Sequence, residues 1–267
     1  MGRGCGTLLV LLAAAALSSC APVAKQDERI RVILVGDSTM ARVTGYGDAL
    51  CARFDARTRC DNLARGGRSS KSYRAEGFWD EALAHAREPG YRTYVLVQFG
   101  HNDQPGKAER STTLPEFRAN MRRYADEVRA AGAVPVLITP LTRRSFRNAE
   151  LVDGLGPWAE ATTVVARESG TALLDLHRDS MVAVTALGAV EALLLAELPA
   201  PEAAAAAAET GTTVEVEKPA PSATGAHVPA FDYTHLGPKG AELFSGIVAA
   251  EIAATFPELA GRLRSDR

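Results

Sequence analysis

From residue 29 onward, short apolar runs alternate with helical patterns, and this alternation limits the fold more than any other feature of the chain. Residues 30–35, 94–99 and 134–138 are dominated by Val, Ile, Leu and aromatic side chains and read as buried strands, with shorter strands over 60–64 and 172–176. Residues 46–56, 78–87, 114–131, 157–168 and 181–198 read as helices. The clearest is 114–131, where Leu114, Phe117, Met121, Tyr124, Ala125 and Val128 fall at three- and four-residue spacing and Gly132 ends the run. Pro238 opens a last helix at the first-turn position, where its missing N–H matters least. Such alternation predicts an α/β fold, a three-layer sandwich with a central parallel sheet flanked by helices. With 267 residues, 46% of them hydrophobic, the chain can bury the core of one large domain. That domain is expected over residues 29–258, followed by a C-terminal tail at 259–267.

Two segments stand outside the alternation. Residues 8–17 are an unbroken run of Leu, Val and Ala, preceded by Arg3 and followed by Leu17-Ser18-Ser19-Cys20. Ten apolar residues are too few for a bilayer span, which needs roughly 20. They fit a secretory signal peptide over residues 1–19. Its ending resembles a bacterial lipobox, which makes Cys20 the expected lipid site and residues 20–28 a tether; a plain signal peptide that happens to contain a cysteine is the other reading. The expectation is export to the bacterial cell envelope, with membrane attachment only through the lipid. The second segment, about 199–229, holds five of the fourteen prolines and an alanine run with few large apolar residues. It reads as a disordered insert, with a short helix across the alanines as the competing view.

Export would leave Cys51 and Cys60 as an even pair in an oxidising compartment. They are a possible disulfide, or two small buried hydrophobes. The formal net charge of −2 gives no whole-chain case for nucleic acid. No cysteine or histidine spacing suggests a metal site.

Ligands of open parallel sheets bind beyond the carboxyl ends of the strands. Four segments there carry chemistry. Gly36-Asp37-Ser38-Thr39 follows the first strand, and a serine on a strand-to-helix turn exposes its hydroxyl beside a backbone N–H, which suits a nucleophile and equally a helix cap. Residues 62–70, with Gly66-Gly67 before Arg68, let backbone amides approach a ligand. Gly100-His101-Asn102-Asp103 offers a side-chain amide for a developing negative charge, or an ordinary turn; His101 is a weak candidate base. In Asp232-Tyr233-Thr234-His235 one tight turn can bring carboxylate and imidazole together, so that Asp232 fixes the ring tautomer and leaves the other nitrogen to take a proton.

In this order, the strings Gly-Asp-Ser-Thr-Met at 36–40, Ala-Arg-Gly-Gly-Arg-Ser-Ser at 64–70, Gln-Phe-Gly-His-Asn-Asp at 98–103 and Asp-Tyr-Thr-His at 232–235 resemble the SGNH hydrolases, also called the GDSL family. The branch they resemble most is the rhamnogalacturonan acetylesterases. The resemblance covers residues 29–256. It implies the flavodoxin-like form of the three-layer fold and a serine esterase that acts through an acyl-enzyme. Ser38 would be the nucleophile, His235 the base and then the acid, and Asp232 its orienting group. Ser38, Gly67 and Asn102 would supply the oxyanion hole. No cofactor and no metal is implied.

Basic residues gather in the strand-end loops: Arg65, Arg68, Lys71 and Arg74, then Lys107 and Arg110, then Arg143, Arg144 and Arg147. Arg68, Arg143, Arg144 and Arg147 are the candidate substrate-binding residues. A basic rim suits a carboxylate-bearing polymer such as a pectin backbone, although charges populate loops anyway. The expected partner is an acetylated polysaccharide or oligosaccharide. Phe78, Phe146 and Trp158 could stack on sugar rings or fill the core.

Overall fold

A computed structural model describes residues 1–2, 29–217, 219 and 227–264. The apolar run at 8–17, Cys20 and the tether lie outside the described residues.

Five parallel strands form the central sheet: β1 (Ile30–Gly36), β2 (Thr58–Asn62), β3 (Arg92–Gln98), β4 (Val134–Ile138) and β7 (Ala172–Leu174), in the order β2-β1-β3-β4-β7. Successive side chains of a strand point to opposite faces, and both faces here are apolar. Val32, Leu34, Leu96, Val136 and Ile138 pack toward one layer. It contains α1 (Gly47–Arg53), α6 (Leu176–Ala192) and α8 (Pro238–Thr255). Ile33, Val35, Val95, Val97 and Leu137 pack toward the other, formed by α3 (Phe78–Ala86), α4 (Leu114–Ala130) and α5 (Gly156–Ser169). The expected three-layer architecture is present, and burial on both faces explains why β1, β3 and β4 are dominated by apolar residues rather than alternating.

Local chemistry sets the element ends. Thr113 and Glu116 form a reciprocal capping box at the start of α4: the Thr113 hydroxyl accepts from the Glu116 N–H, and the Glu116 carboxylate accepts from the Thr113 N–H. α6 begins at Leu176 rather than 181, because the Asp175 side chain accepts from the Arg178 N–H and caps it. Gly188, at φ 73°, breaks its far end. Cys51 of α1 and Cys60 of β2 are joined by a disulfide that ties the helix to the edge strand.

Three regions differ from the sequence reading. The expected disordered insert carries α7 (Glu202–Glu209), with Ala204 and Ala208 buried on one face. Alanine is the strongest helix former and its small side chain allows close approach, so a run lacking bulky residues still packs. Beyond α7, the Thr213 N–H donates to the Phe146 carbonyl and the Ala149 N–H to the Gly211 carbonyl. This strap lies along a small hairpin, β5 (Phe146–Arg147) and β6 (Glu150–Leu151), that no periodicity announces. Residues 218 and 220–226 of the insert lie outside the described residues. The C-terminal tail also packs: α9 (Pro257–Ala260) buries Leu259, and the Arg264 N–H donates to the Arg53 carbonyl. α2 (Ser72–Ala75), between β2 and α3, completes the elements used below.

Candidate active site

The loops after β1, β2, β3 and β4 meet the turn before α8 at the carboxyl edge of the sheet. There Ser38, Gly67, Asn102, Arg143, Asp232 and His235 line one cavity of about 600 Å³.

Ser38 sits on a heavily pinned turn. The Asp37 carboxylate accepts from the Thr39 N–H at 2.9 Å and from its hydroxyl at 2.8 Å. The Thr44 hydroxyl donates to the Ser38 carbonyl at 2.8 Å. Beneath the turn, Gln98 donates to the Thr39 hydroxyl and accepts from the Tyr46 hydroxyl. The expected strand-to-helix passage is longer than the sequence suggests: after one helical turn, where the Ala41 N–H donates to the Asp37 carbonyl, the chain stays irregular until α1. Gly45 is forced by this packing, since a Cβ there would lie 2.4 Å from the Thr39 carbonyl oxygen. Val43, in the same loop, is 74% exposed and lines the cavity at φ 72°. A β-branched residue in that region costs about 1–3 kcal/mol and persists only where its surroundings fix it.

The second loop carries Gly67, whose φ of 76° is readily available only to glycine. Arg68 donates to the Gly66 carbonyl at 2.8 Å, and Arg110 to the Gly67 carbonyl at 3.1 Å. Carbonyl and N–H of one peptide point opposite ways, so holding the Gly66 carbonyl fixes the direction of the Gly67 N–H. Asn102 donates one amide hydrogen to the Arg68 carbonyl at 3.0 Å. An amide NH₂ carries two donors, and the second remains for a ligand. Buried Asp103 joins the two loops by accepting from the Ser70 N–H and hydroxyl and from the Thr112 hydroxyl. Burial pushes its carboxyl up to about 6.

Asp232 and His235 meet as the three-residue spacing predicts. One Asp232 oxygen lies 2.8 Å from His235 Nδ1, while the other accepts from the N–H groups of Thr234 and His235 at 2.8 and 2.7 Å. Burial alone would raise this carboxyl. The His235 ring and the two N–H groups outweigh it and hold Asp232 well below the usual carboxylate range. With Nδ1 donating to Asp232, the neutral ring keeps Nε2 open as a proton acceptor. His101 is nearby but differently placed: its ring Nδ1 lies 3.4 Å from the buried Asp37 carboxylate, and burial pulls the imidazole below its ordinary value. Among the described residues, no group of three or more His, Cys, Asp or Glu could hold a metal ion, and no helix is long and apolar enough to cross a membrane.

Residues 34–243 match the GDSL-like lipase/acylhydrolase family. The chain belongs to that family. It is therefore a carboxylic ester hydrolase. Rhamnogalacturonan acetylesterase RhgT of Bacillus subtilis (strain 168) is 32% identical over 170 residues, covering 61% of this chain and 71% of its own. A second protein of that strain, described as probable rhamnogalacturonan acetylesterase YesY, is 31% identical over 165 residues, 59% of this chain and 75% of its own. These matches place this acylhydrolase in the rhamnogalacturonan acetylesterase-like branch. In fold it is similar to protein YXIM from Bacillus subtilis, with TM-score 0.62 and 22% identity. That alignment covers 84% of this chain, which spans 56% of the length of YXIM. It is similar also to Axe2, an acetylxylan esterase from Geobacillus stearothermophilus, with TM-score 0.56, 16% identity and 84% and 94% of the two chains covered.

The basic rim of this acylhydrolase is mostly neutralised. Arg65 pairs with Glu81, Arg68 with Glu76 and Arg74 with Glu127, while Lys71 donates to the Ala108 carbonyl. One candidate substrate residue is corrected, and a second lies away from the two cavities. Arg144 is buried at 1% exposure and cannot meet a polymer; it donates to the carbonyls of Asp232, Thr234 and His235 and so frames the turn. Burial pulls its guanidinium down to about 10. Arg147 is exposed on β5 and is not among the residues lining either cavity at this edge. Of the four candidates, Arg68 and Arg143 line the first cavity, beside Arg42 and Arg110. Phe146 is buried in the core on one face of the sheet, while Phe78 and Trp158 are partly buried against the core on the other. The framing roles of Arg110 and Arg144 leave no mark in the sequence, because their partners are backbone carbonyls, which carry no side-chain pattern.

Proposed function

We propose that this acylhydrolase removes O-acetyl groups from a plant cell-wall polysaccharide, with rhamnogalacturonan as the polymer. The observation that carries the reading is the Asp232–His235 pair facing one cavity with Ser38, Gly67 and Asn102. The names of RhgT and YesY support the substrate.

In this reading Ser38 Oγ attacks the acetyl carbonyl carbon while His235 Nε2 takes its proton. The developing oxyanion is met by the N–H groups of Ser38 and Gly67 and by the free amide hydrogen of Asn102. His235 then hands the proton to the sugar oxygen as its bond to the acetyl carbon breaks, releasing the sugar hydroxyl and leaving an acetyl-Ser38 ester. Water attacks that ester along the same route, releasing acetate and restoring the serine. Asp232 holds the tautomer and stabilises the imidazolium that forms twice per turnover.

We also place the protein at the bacterial cell envelope, held by acyl chains on Cys20; the support is the run at 8–17 and the Leu-Ser-Ser-Cys ending. Loss of incorporated fatty-acid label in Cys20→Ala tests that part.

The deciding experiment for the reaction measures acetate release from acetylated rhamnogalacturonan, acetylated homogalacturonan and acetylated xylan, with Ser38→Ala as the blank. Release from rhamnogalacturonan above the others, lost by about 10³-fold or more in Ser38→Ala, is expected. Equal release from all three removes the polymer assignment, and an active Ser38→Ala removes the mechanism.

A further inference from the structure

A second cavity, of about 890 Å³, adjoins the first at the same sheet edge. The two share Arg143, Asp232 and Thr234. One wall is the strap 213–217, and Ser145 and Tyr233 complete the lining. Together the cavities offer a groove longer than an acetyl group needs, which suits a chain of sugars.

Arg143 stands at their junction and is only half-buried. Of the other cations in these loops, Arg65, Arg68 and Arg74 pair with carboxylates and Lys71, Arg110 and Arg144 donate to carbonyls, while Arg42, which also lines the first cavity, is exposed. Among the described residues, no hydrogen bond or ion pair engages the Arg143 guanidinium. Asp37 and Asp232 act on it through space alone. The hydrogen bonds of both go elsewhere: one Asp37 oxygen accepts from Thr39 and the other lies 3.4 Å from His101 Nδ1, while Asp232 accepts from Thr234 and His235. A partly desolvated guanidinium without an internal partner presents a planar fork of donors matched to a carboxylate. Glu215 and Glu217 also line the second cavity, both exposed, and confine a favourable anion position to the Arg143 end.

We propose that Arg143 binds the carboxylate of a uronic acid residue whose chain runs from the first cavity into the second, and that this contact selects acidic over neutral acetylated polysaccharides. The inference rests on the acetylesterase reading above. It goes beyond it by naming the charged group recognised and the residue that reads it.

The test compares kcat/KM for an acetylated galacturonate-containing oligosaccharide and for its carboxyl methyl ester, in the unaltered protein, Arg143→Gln and Arg143→Lys. A charge-assisted contact of this kind is worth about ten-fold or more. The unaltered protein is expected to favour the free acid by about that factor, Arg143→Gln to level the two, and Arg143→Lys to keep part of the preference. A preference absent from the unaltered protein, or intact in Arg143→Gln, overturns the assignment of Arg143 while the esterase stands. No acetate from either oligosaccharide overturns the esterase reading and this inference with it. A measurement without variants runs beside it: oligogalacturonate should inhibit nitrophenyl acetate hydrolysis at about ten-fold lower concentration than neutral galacto-oligosaccharide. Equal inhibition counts against the proposal.

Discussion

The Asp232 carboxylate grips His235 twice, through ring Nδ1 with one oxygen and through the backbone N–H with the other. The ring is thereby fixed in tautomer by a group that also fixes the peptide it hangs from. Asp232→Asn keeps a side chain of the same shape but lets the amide donate to Nδ1, which favours the wrong tautomer. A fall in kcat of about 10²–10⁴-fold with the fold retained is expected. Steady-state kinetics beside circular dichroism check it, and an unchanged kcat would remove Asp232 from the mechanism.

Asn102 already spends one amide hydrogen on the Arg68 carbonyl. Asn102→Ala removes the second donor from the cavity and loosens the Gly66–Gly67 turn through Arg68. Loss of one oxyanion donor costs about 10²–10³-fold in kcat. The loss should fall on kcat more than on KM, because the charge it meets exists only in the transition state.

Arg144 serves three carbonyls from within the core. Arg144→Leu leaves them unpaired in a buried place and should cost about 2–4 kcal/mol of stability together with most of the activity. Arg147→Ala, on the exposed hairpin, should change stability by about 0.5 kcal/mol or less. Urea unfolding of the two variants side by side reads the contrast.

Glu251 of α8 has its carboxyl pushed up to about 8 by burial and by the neighbouring Asp179 and Asp175 carboxylates. In the unfolded chain it ionises near 4.5. The folded state therefore holds a proton that the unfolded state has released, and stability falls as pH rises from about 4.5 to about 8. Glu251→Gln removes that loss. Because the side chain is partly solvated, the gain at pH 8 is on the order of 1–3 kcal/mol, shrinking toward pH 5. Unfolding curves at the two pH values check the sign; a variant that is less stable at pH 8 contradicts it.

What the sequence determined by itself is local. Runs dominated by apolar residues, such as 94–99, announce strands buried on both faces, the spacing from Leu114 to Val128 announces one helix face, and Asp232-x-x-His235 announces a turn tight enough to join its ends. Each follows from contacts within a few residues, where backbone periodicity alone decides who meets whom. The tertiary structure decided which charges were free. Arg144 and Arg143 are adjacent in sequence, yet one is sealed under the Asp232–His235 turn and the other opens onto two cavities. Ala204 and Ala208 looked too small for a core until α7 found a close surface to pack against. The first outcome depends on carbonyls 88 to 91 residues further along and the second on how α7 folds back onto α6, and only the completed fold sets either distance.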